Sequence, residues 1–237
     1  FIDTNGDAEI QTTEAAAVTG TLNLSDLSIA DLTGIEAFTG LTELWCDNNN
    51  QLTNLDVSAN TALTYLNCGD NQLTSLNVSA NTALTSLNCG NNQLTSLDVS
   101  ANTALISLDC YSNRLTSLNV SENRDLTYLL FENNQLTSLN VSDAMALTYL
   151  WCENNQLTSL NVSANTALTD LRCSYNQLTS LNVQNGNNTN FLVFYAINNP
   201  NLTCIQVDDA AYMNTNWSGG KDAIASFSEN CGVVGID

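Results

Sequence analysis

The first residues of the chain carry side-chain oxygens at a spacing that could bind a metal ion. Carboxylates or amides recur at Asp3, Asn5, Asp7 and Glu14. Hard cations such as Ca²⁺ take about six to eight oxygen ligands, and this spacing would wrap the oxygens around one point. We therefore predict a structural Ca²⁺ site that anchors the N-terminal end of the fold. The alternative interpretation is a solvated acidic tail.

The same segment, DTNGDAEIQTTE, resembles an EF-hand loop. The resemblance implies these ligands: Asp3, Asn5, Asp7, the main-chain carbonyl of Glu9, and both carboxylate oxygens of Glu14. It also implies a short helix from Glu14 to Val18. The sequence has Ala8 where the EF-hand family has a glycine in a sharp turn, and we expect this departure to lower the affinity for Ca²⁺.

Most of the remaining chain repeats one 21-residue unit. The copies begin at Leu41, Leu63, Leu84, Leu105, Leu126, Leu147 and Leu168, and the first contains one extra Asn. Counted from that leucine, apolar residues fall at positions 1, 4, 6, 11, 14 and 16, in two similar halves, LxxLxCxxNQ and LxxLxVSxNTA. The period-2 alternation in each half predicts two short strands per coil and almost no helix. A fixed period of this length indicates a solenoid, in which parallel strands stack and like residues form columns.

The pattern LxxLxCxxNxL resembles the leucine-rich-repeat signature, and the doubled half is similar to the nested 21-residue class of secreted bacterial proteins. The resemblance covers roughly residues 22–205. It implies a mainly β solenoid capped at both ends. Because both sides of each coil carry strands of similar spacing, we predict low curvature. We divide the chain into an N-terminal cap (1–21), the solenoid (22–205) and a C-terminal cap (206–237).

The eight cysteines fall into two groups. Six occupy position 6 of a copy: Cys46, Cys68, Cys89, Cys110, Cys152 and Cys173. We expect these to be free, buried thiols, because parallel side chains in a column disfavour the disulfide torsion and cannot converge on a metal. Cys204 and Cys231 lie beyond the repeats, and we predict a disulfide between them that closes the end of the solenoid.

The last coil needs a cap, since its apolar face has no further coil to cover it. Residues 207–234 lose the repeat period and supply bulky side chains for this purpose: Tyr212, Met213, Trp217, Ile224 and Phe227.

The first half of the repeat varies between copies at its outward positions 3, 5, 7 and 8, whereas the second half is nearly constant. The candidate ligand-binding residues on the variable half are Trp45, Tyr65, Tyr111, Tyr128, Glu132, Tyr149, Trp151, Glu153, Arg172 and Tyr175. In the columns we expect Tyr128 over Tyr149 and a cation–π pair of Trp151 with Arg172. Rings grouped on a strand face mark an interaction site. The alternative is ring packing that only stiffens the sheet.

Glu132 and Glu153 form the one pair that suggests catalysis. Two carboxylates about 5 Å apart in neighbouring coils would suit a retaining glycosidase. Against this, the predicted face is open, the chain has no His, and its serines have no candidate base beside them. We therefore predict no catalytic residues and no enzymatic activity.

Composition restricts the class of partner. The formal net charge is −20, with only four Lys and Arg residues. Phosphate backbones and anionic membrane surfaces would repel such a chain, so we expect neither nucleic-acid binding nor membrane insertion. The leading hypothesis is a secreted or cell-surface bacterial protein, monomeric and non-enzymatic, that binds an extracellular protein or glycan. The alternatives are a structural spacer or adhesin stalk and, more weakly, ice binding.

Overall fold

A computed structural model describes residues 4–7 and 9–232 as a stack of coils. In chain order the helices and strands are α1 (Thr12–Ala17), β1 (Thr19–Asn23), β2 (Gly40–Trp45), β3 (Tyr65–Asn67), β4 (Ser86–Asn88), β5 (Ser107–Asp109), β6 (Tyr128–Leu130), β7 (Tyr149–Trp151), β8 (Ser159–Asn161), β9 (Asp170–Arg172), β10 (Ser180–Asn182), β11 (Val193–Tyr195), β12 (Cys204–Gln206), α2 (Ala210–Asn216) and β13 (Ser226–Ser228). Short 3₁₀ turns occupy Ile35–Ala37, Asn188–Asn190 and Ser218–Gly220. The predicted mainly β solenoid is confirmed.

The first half of the coils forms one long sheet of nine parallel strands, in the order β1-β2-β3-β4-β5-β6-β7-β9-β11. Each strand pairs with the same repeat positions of the next coil, so that Tyr65, Ser86 and Ser107 lie side by side. The leucine at position 4 points inward from the middle of each strand and is buried. The side chains on either side of it therefore face outward, as the period of two requires.

The second half of the coils pairs as a sheet only near the C-terminal end, in the order β13-β12-β10-β8. The prediction of two strands in every coil is wrong before Ser159, where the described residues form only an isolated bridge between Asp56 and Asn77 on this side. On this side, side-chain amides connect the earlier coils to one another. Asn102 Nδ2, for example, donates to the Val78 carbonyl at 2.9 Å. The predicted low curvature stays a prediction.

Leucine, cysteine and valine columns fill the dry interior, and Phe131 fills the one place where a copy lacks cysteine. All six position-6 cysteines are free and buried, as predicted. Burial raises the pKa of the Cys46 thiol to about 12 and that of Cys68 well above its usual range. Thiols held in this neutral state are poor nucleophiles and poor metal ligands, so they act as small apolar residues.

The N-terminal end of the sheet is covered by α1. The predicted helix from Glu14 to Val18 is found slightly earlier, at Thr12–Ala17, because Gln11 and Glu14 form a reciprocal capping box around its first turn. The sheet already begins at Thr19, so the boundary predicted at residue 21 falls inside β1.

The C-terminal cap packs α2 and β13 against the last coil. The Phe194 ring lies 5.8 Å from Phe227 and 6.5 Å from Trp217, measured between ring centroids. The predicted Cys204–Cys231 disulfide is confirmed and ties β12 to the turn after β13. Ile224 does not contribute as expected, since 61% of it is exposed.

Candidate ligand-binding face

Two pairs of stacked rings stand on the outer face of the long sheet. The ring centroids of Trp45 and Tyr65 are 4.5 Å apart, and those of Tyr128 and Tyr149 are 4.6 Å apart with nearly parallel planes. Tyr128 and Tyr149 are register partners, so their spacing matches the distance between neighbouring strands, whereas Trp45 and Tyr65 are diagonal neighbours on adjacent strands. The predicted stacking of Tyr128 on Tyr149 is confirmed.

Trp151 and Arg172 form the predicted cation–π pair, with the guanidinium carbon 3.9 Å from the ring centroid. Both groups also hold Asp170, a carboxylate that is only 4% exposed. Trp151 Nε1 donates to Asp170 Oδ1 at 3.0 Å, and Arg172 Nε donates to the same oxygen at 3.1 Å. The ion pair neutralises Arg172 and fixes the indole. Asp170 was not among the predicted site residues. The spacing of Asp170 and Arg172, two residues apart on one strand face, could have indicated this ion pair.

These side chains belong to a continuous group across four strands, which we call the aromatic face: Tyr128, Leu130, Tyr149, Trp151, Arg172 and Tyr195. Tyr195 lies beside Arg172 in the register of β11 with β9 and is 46% exposed. Sequence reasoning missed Tyr195 because its copy, from Phe191, is degenerate. Counting five positions from Phe191 would have found it.

A polar surface separates the two ring pairs, and we call it the polar saddle. Its floor consists of Ser86 and Ser107 with the amides of Asn67 and Asn88. Three strand spacings, or about 14 Å, divide the Tyr65 site from the Tyr128 site.

Tyr111 is also part of this floor, not a projecting side chain. A Cβ atom added at Gly90 would lie 2.1 Å from Tyr111 Cε1, so the tyrosine ring packs directly onto the glycine. The predicted ligand residue Tyr111 is thus a packing residue that presents its ring face and hydroxyl.

Four carboxylates lie at or just beyond the C-terminal ends of β3, β5, β6 and β7, and we call them the acidic edge: Asp70, Asp109, Glu132 and Glu153. Burial and the Asp70 charge raise the pKa of Asp109 to about 6. Burial, followed by the charges of Asp109 and Glu153, raises the pKa of Glu132 to about 7. Glu132 and Glu153 follow the paired strands β6 and β7, and the predicted separation of their carboxylates stays a prediction.

Tyr175 occupies a strained backbone position next to the aromatic face. Its φ angle is 56°, in the left-handed region, whereas the same site holds Asn, Asp or Ser in the other coils. Asparagine and aspartate tolerate this region far better than a bulky residue does. The tyrosine is nevertheless 53% exposed, so burial does not explain its presence.

The N-terminal loop places several predicted ligands together. Asp7 Oδ2 accepts hydrogen bonds from Asn5 Nδ2 at 3.1 Å and from Gln11 Nε2 at 2.7 Å. Glu14 closes the loop by accepting from both the main-chain N and the Oγ1 of Thr4 at 2.7 Å. This set of carboxylates and amides suits a hard cation.

The loop is described only in part, since Asp3 and Ala8 lie outside the described residues. The predicted site uses the main-chain carbonyl of Glu9 and not its side chain. In the structure, the main-chain N of Glu9 donates to Asp7 Oδ1 at 3.0 Å. Among the residues that are described, no three His, Cys, Asp or Glu side chains form a metal-binding group. The Ca²⁺ site stays a prediction.

Two clefts lie near the N-terminal end of the chain, away from the aromatic face. A cleft of about 410 Å³ lies between α1 and the first coil and is lined mostly by apolar residues, including Leu22, Leu32 and Phe38. A smaller cleft of about 250 Å³ adjoins it at Asp31 and Glu36 and extends to Asn54. Both are gaps in the packing of the N-terminal end and share no residue with the aromatic face or the acidic edge.

Solved structures share this architecture. Internalin C2 from Listeria monocytogenes str. 4b F2365 is 19% identical, with a TM-score of 0.65 and 84% of each chain covered. The leucine-rich-repeat domain of APL1B is 23% identical, with a TM-score of 0.57, and the match covers 79% of this chain and 55% of that one. The fold is a leucine-rich-repeat solenoid.

Two further comparisons concern sequence. Residues 8–123 of the leucine-rich-repeat solenoid match the family model described as the Endo-beta-N-acetylglucosaminidase EndoS LRR domain. The functional domain of InlJ from Listeria monocytogenes, described as including a cysteine ladder, is 31% identical; the match covers 83% of this chain and 60% of that one, with a TM-score of 0.47. No curated protein is a significant match.

The raised pKa values on the leucine-rich-repeat sheet predict a stability that falls as pH rises from 5 to 8. A carboxyl whose pKa is higher in the folded state keeps a proton that the unfolded chain releases, so deprotonation favours unfolding. Glu132→Gln should reduce this decline in melting temperature, because the amide cannot ionise. Glu122→Gln, an equal charge change at an exposed site, is the control and should leave the slope unchanged.

Tyr175→Asn is expected to stabilise the leucine-rich-repeat solenoid by about 1 kcal/mol, since it removes a left-handed tyrosine. Urea unfolding followed by circular dichroism measures the change. A loss of stability would show that the exposed ring makes a favourable contact and that its backbone strain is small.

Proposed function

We propose that this protein is a non-enzymatic binding module that recognises a partner protein through its aromatic face. The leucine-rich-repeat fold is one that serves protein binding. The proposal depends on one observation: the rings are held in place by stacking and yet are exposed to solvent. Tyr128 is stacked on Tyr149 and is 40% exposed. Stacking removes the conformational entropy that a free ring would lose on binding, so the face is preorganised.

We further propose that the protein works outside the cell, secreted or on the bacterial surface, as a monomer. The Cys204–Cys231 disulfide supports an oxidising compartment. The six free thiols are compatible with one, because they are buried and their pKa values are raised. No helix in the described part of the chain combines the length and apolar character of a membrane span.

Site-specific photo-crosslinking tests the proposed binding face. A photoreactive phenylalanine analogue at Tyr128 should capture a protein from the extracellular medium of the source cells, and the purified protein should then bind the unmodified chain. The matched control places the analogue at Met145, which is 64% exposed and lies away from the sheet face. Equal capture at both sites would support the spacer hypothesis instead.

Glycan binding is a second candidate, and the polar saddle favours it. Ser86, Ser107 and the free Nδ2 atoms of Asn67 and Asn88 offer hydrogen-bonding groups between the walls made by Tyr65 and Tyr128. A glycan array tests this reading with the wild-type chain and Tyr65→Ala. Retention that depends on Tyr65 would support the glycan candidate over the protein partner.

We also propose a structural Ca²⁺ ion in the N-terminal loop, held by the predicted residues Asp3, Asn5, Asp7, Glu9 and Glu14. At a free Ca²⁺ concentration about 100 times the Kd, bound ion would add about 2.7 kcal/mol to stability. Removing metal with EDTA should therefore lower the melting temperature, and adding Ca²⁺ should restore it. Glu14→Gln should abolish the response. An unchanged melting temperature in the wild type would contradict the site.

A further inference from the structure

We propose that the acidic edge receives an Arg or Lys side chain of the partner, so that the segment recognised is a basic one. This inference rests on the proposed protein-binding function and specifies the chemistry of the partner. It concerns Asp70, Asp109, Glu132 and Glu153, which lie at or just beyond the C-terminal ends of four strands of the long sheet.

Within the described residues, the carboxylates near the acidic edge outnumber the bases, since Arg172 is the base whose charge acts on both Glu132 and Glu153. The ion pair that the described residues form joins Arg172 to Asp170, which uses the one base on this face. Lys221 is engaged elsewhere, donating to the Ala225 carbonyl. The acidic edge and Asp170 thus share one base, so a net negative charge remains for a docking partner, and a cationic group is its complement.

The hydrogen bonding of Glu132 leads to the same partner chemistry. Its Oε2 atom is buried and has no hydrogen-bond partner. Asp109 precedes it on one side, and Glu153 follows it in the next coil. A buried carboxylate beside like charges is costly, and a guanidinium or ammonium group would supply both the missing donor and the opposite charge.

The spacing of the two surfaces defines the recognised segment further. Trp151 lies in β7 and Asp109 in β5, two strand spacings apart, which is about 10 Å. An extended chain advances about 3.3 Å per residue, so this distance corresponds to about three residues. We therefore expect an apolar or aromatic anchor on Trp151 and a basic residue three positions away.

The proposal also implies a pH dependence. The groups that surround Glu132 electrostatically are Asp109, Glu153 and Arg172, and Asp70 and Tyr111 surround Asp109 in turn. Protonation of Asp109 and Glu132 between pH 8 and pH 5 removes part of the negative charge that attracts the cation. Affinity for a basic segment should fall about tenfold over this range, equivalent to about 1.4 kcal/mol.

A synthetic peptide array tests the inference. The peptides carry one aromatic residue and either an Arg or a Glu three positions away, in both chain directions, with matched peptides in which the spacing is one residue. Each is measured against the wild type, Glu132→Gln, Asp109→Asn, Trp151→Ala and the charge-matched control Glu122→Gln. Circular dichroism confirms that every variant is folded.

The expected result is binding of the Arg peptides with three-residue spacing, weakened about tenfold by Glu132→Gln or Asp109→Asn and unchanged by Glu122→Gln. Binding that is lost in Trp151→Ala but indifferent to peptide charge and to Glu132 would overturn the inference and leave the proposed function intact. Binding that is unchanged in Trp151→Ala, Glu132→Gln and Asp109→Asn would overturn the inference. It would also count against the aromatic face as the binding surface.

Discussion

Asn113→Ala is expected to lower the free energy of unfolding by about 3 kcal/mol, because it leaves several buried backbone groups without partners. Asn113 Nδ2 donates to the carbonyls of Cys89 at 3.0 Å, Cys110 at 3.2 Å and Tyr111 at 3.2 Å. Its Oδ1 accepts from Leu94 N at 2.9 Å. One side chain thus joins the backbone of two successive coils, and no water can replace it in the dry interior.

Asn102→Ala is the matched control, since it makes the same change at the second corner of the coil. Asn102 Nδ2 donates to the carbonyls of Val78 and Asn81 at 2.9 Å each, but its Oδ1 is buried without a partner. The alanine variant removes that unsatisfied acceptor together with the two bonds, so the loss should be clearly smaller. Urea unfolding of both variants measures the difference, and equal losses would show that the fourth hydrogen bond of Asn113 contributes little.

Asn113 and Asn102 also show which parts of the fold could be predicted from the sequence and which could not. A repeat places like residues in like environments, so the Leu, Cys and Val columns and the corner asparagines could be assigned from spacing alone. The pairing of the second sheet could not. Asn81 bonds the Val57 carbonyl across the two coils that form the Asp56–Asn77 bridge, and Asn102 bonds the Val78 carbonyl where the described residues form no bridge, so the same sequence pattern fits both arrangements.

The candidate face was predictable in part for the same reason. The stack of Tyr128 on Tyr149 and the contact of Arg172 with Trp151 follow from adjacency in a column. Rotamer choices are not fixed by a repeat, so the packing of Tyr111 onto Gly90 was not predicted. The burial of Asp170 was missed because its two partners reach it from neighbouring positions, and a position-by-position comparison does not detect a three-residue network.

Trp151→Ala is expected to weaken binding of the partner captured at Tyr128 by about 100-fold, equivalent to about 2.7 kcal/mol, the size of effect seen at interface hot spots. Trp151 lies between Leu130 and Arg172 in the strand register, and its indole is held by the Arg172 guanidinium and by the hydrogen bond to Asp170. Its truncation removes contact area and also frees Arg172 and Asp170. Calorimetric titration of the purified partner measures the change.

Trp151→Phe separates these two contributions to the loss. Phenylalanine keeps a ring for Arg172 to cover but cannot donate to Asp170 Oδ1, the bond that the indole makes at 3.0 Å. If the ring surface supplies the affinity, the phenylalanine variant should lose less than about tenfold. A loss as large as that of alanine would assign the effect to the orientation of the Asp170–Arg172 pair. Met145→Ala, outside the face, should bind like the wild type, and a loss there would contradict the assignment of the aromatic face as the binding surface.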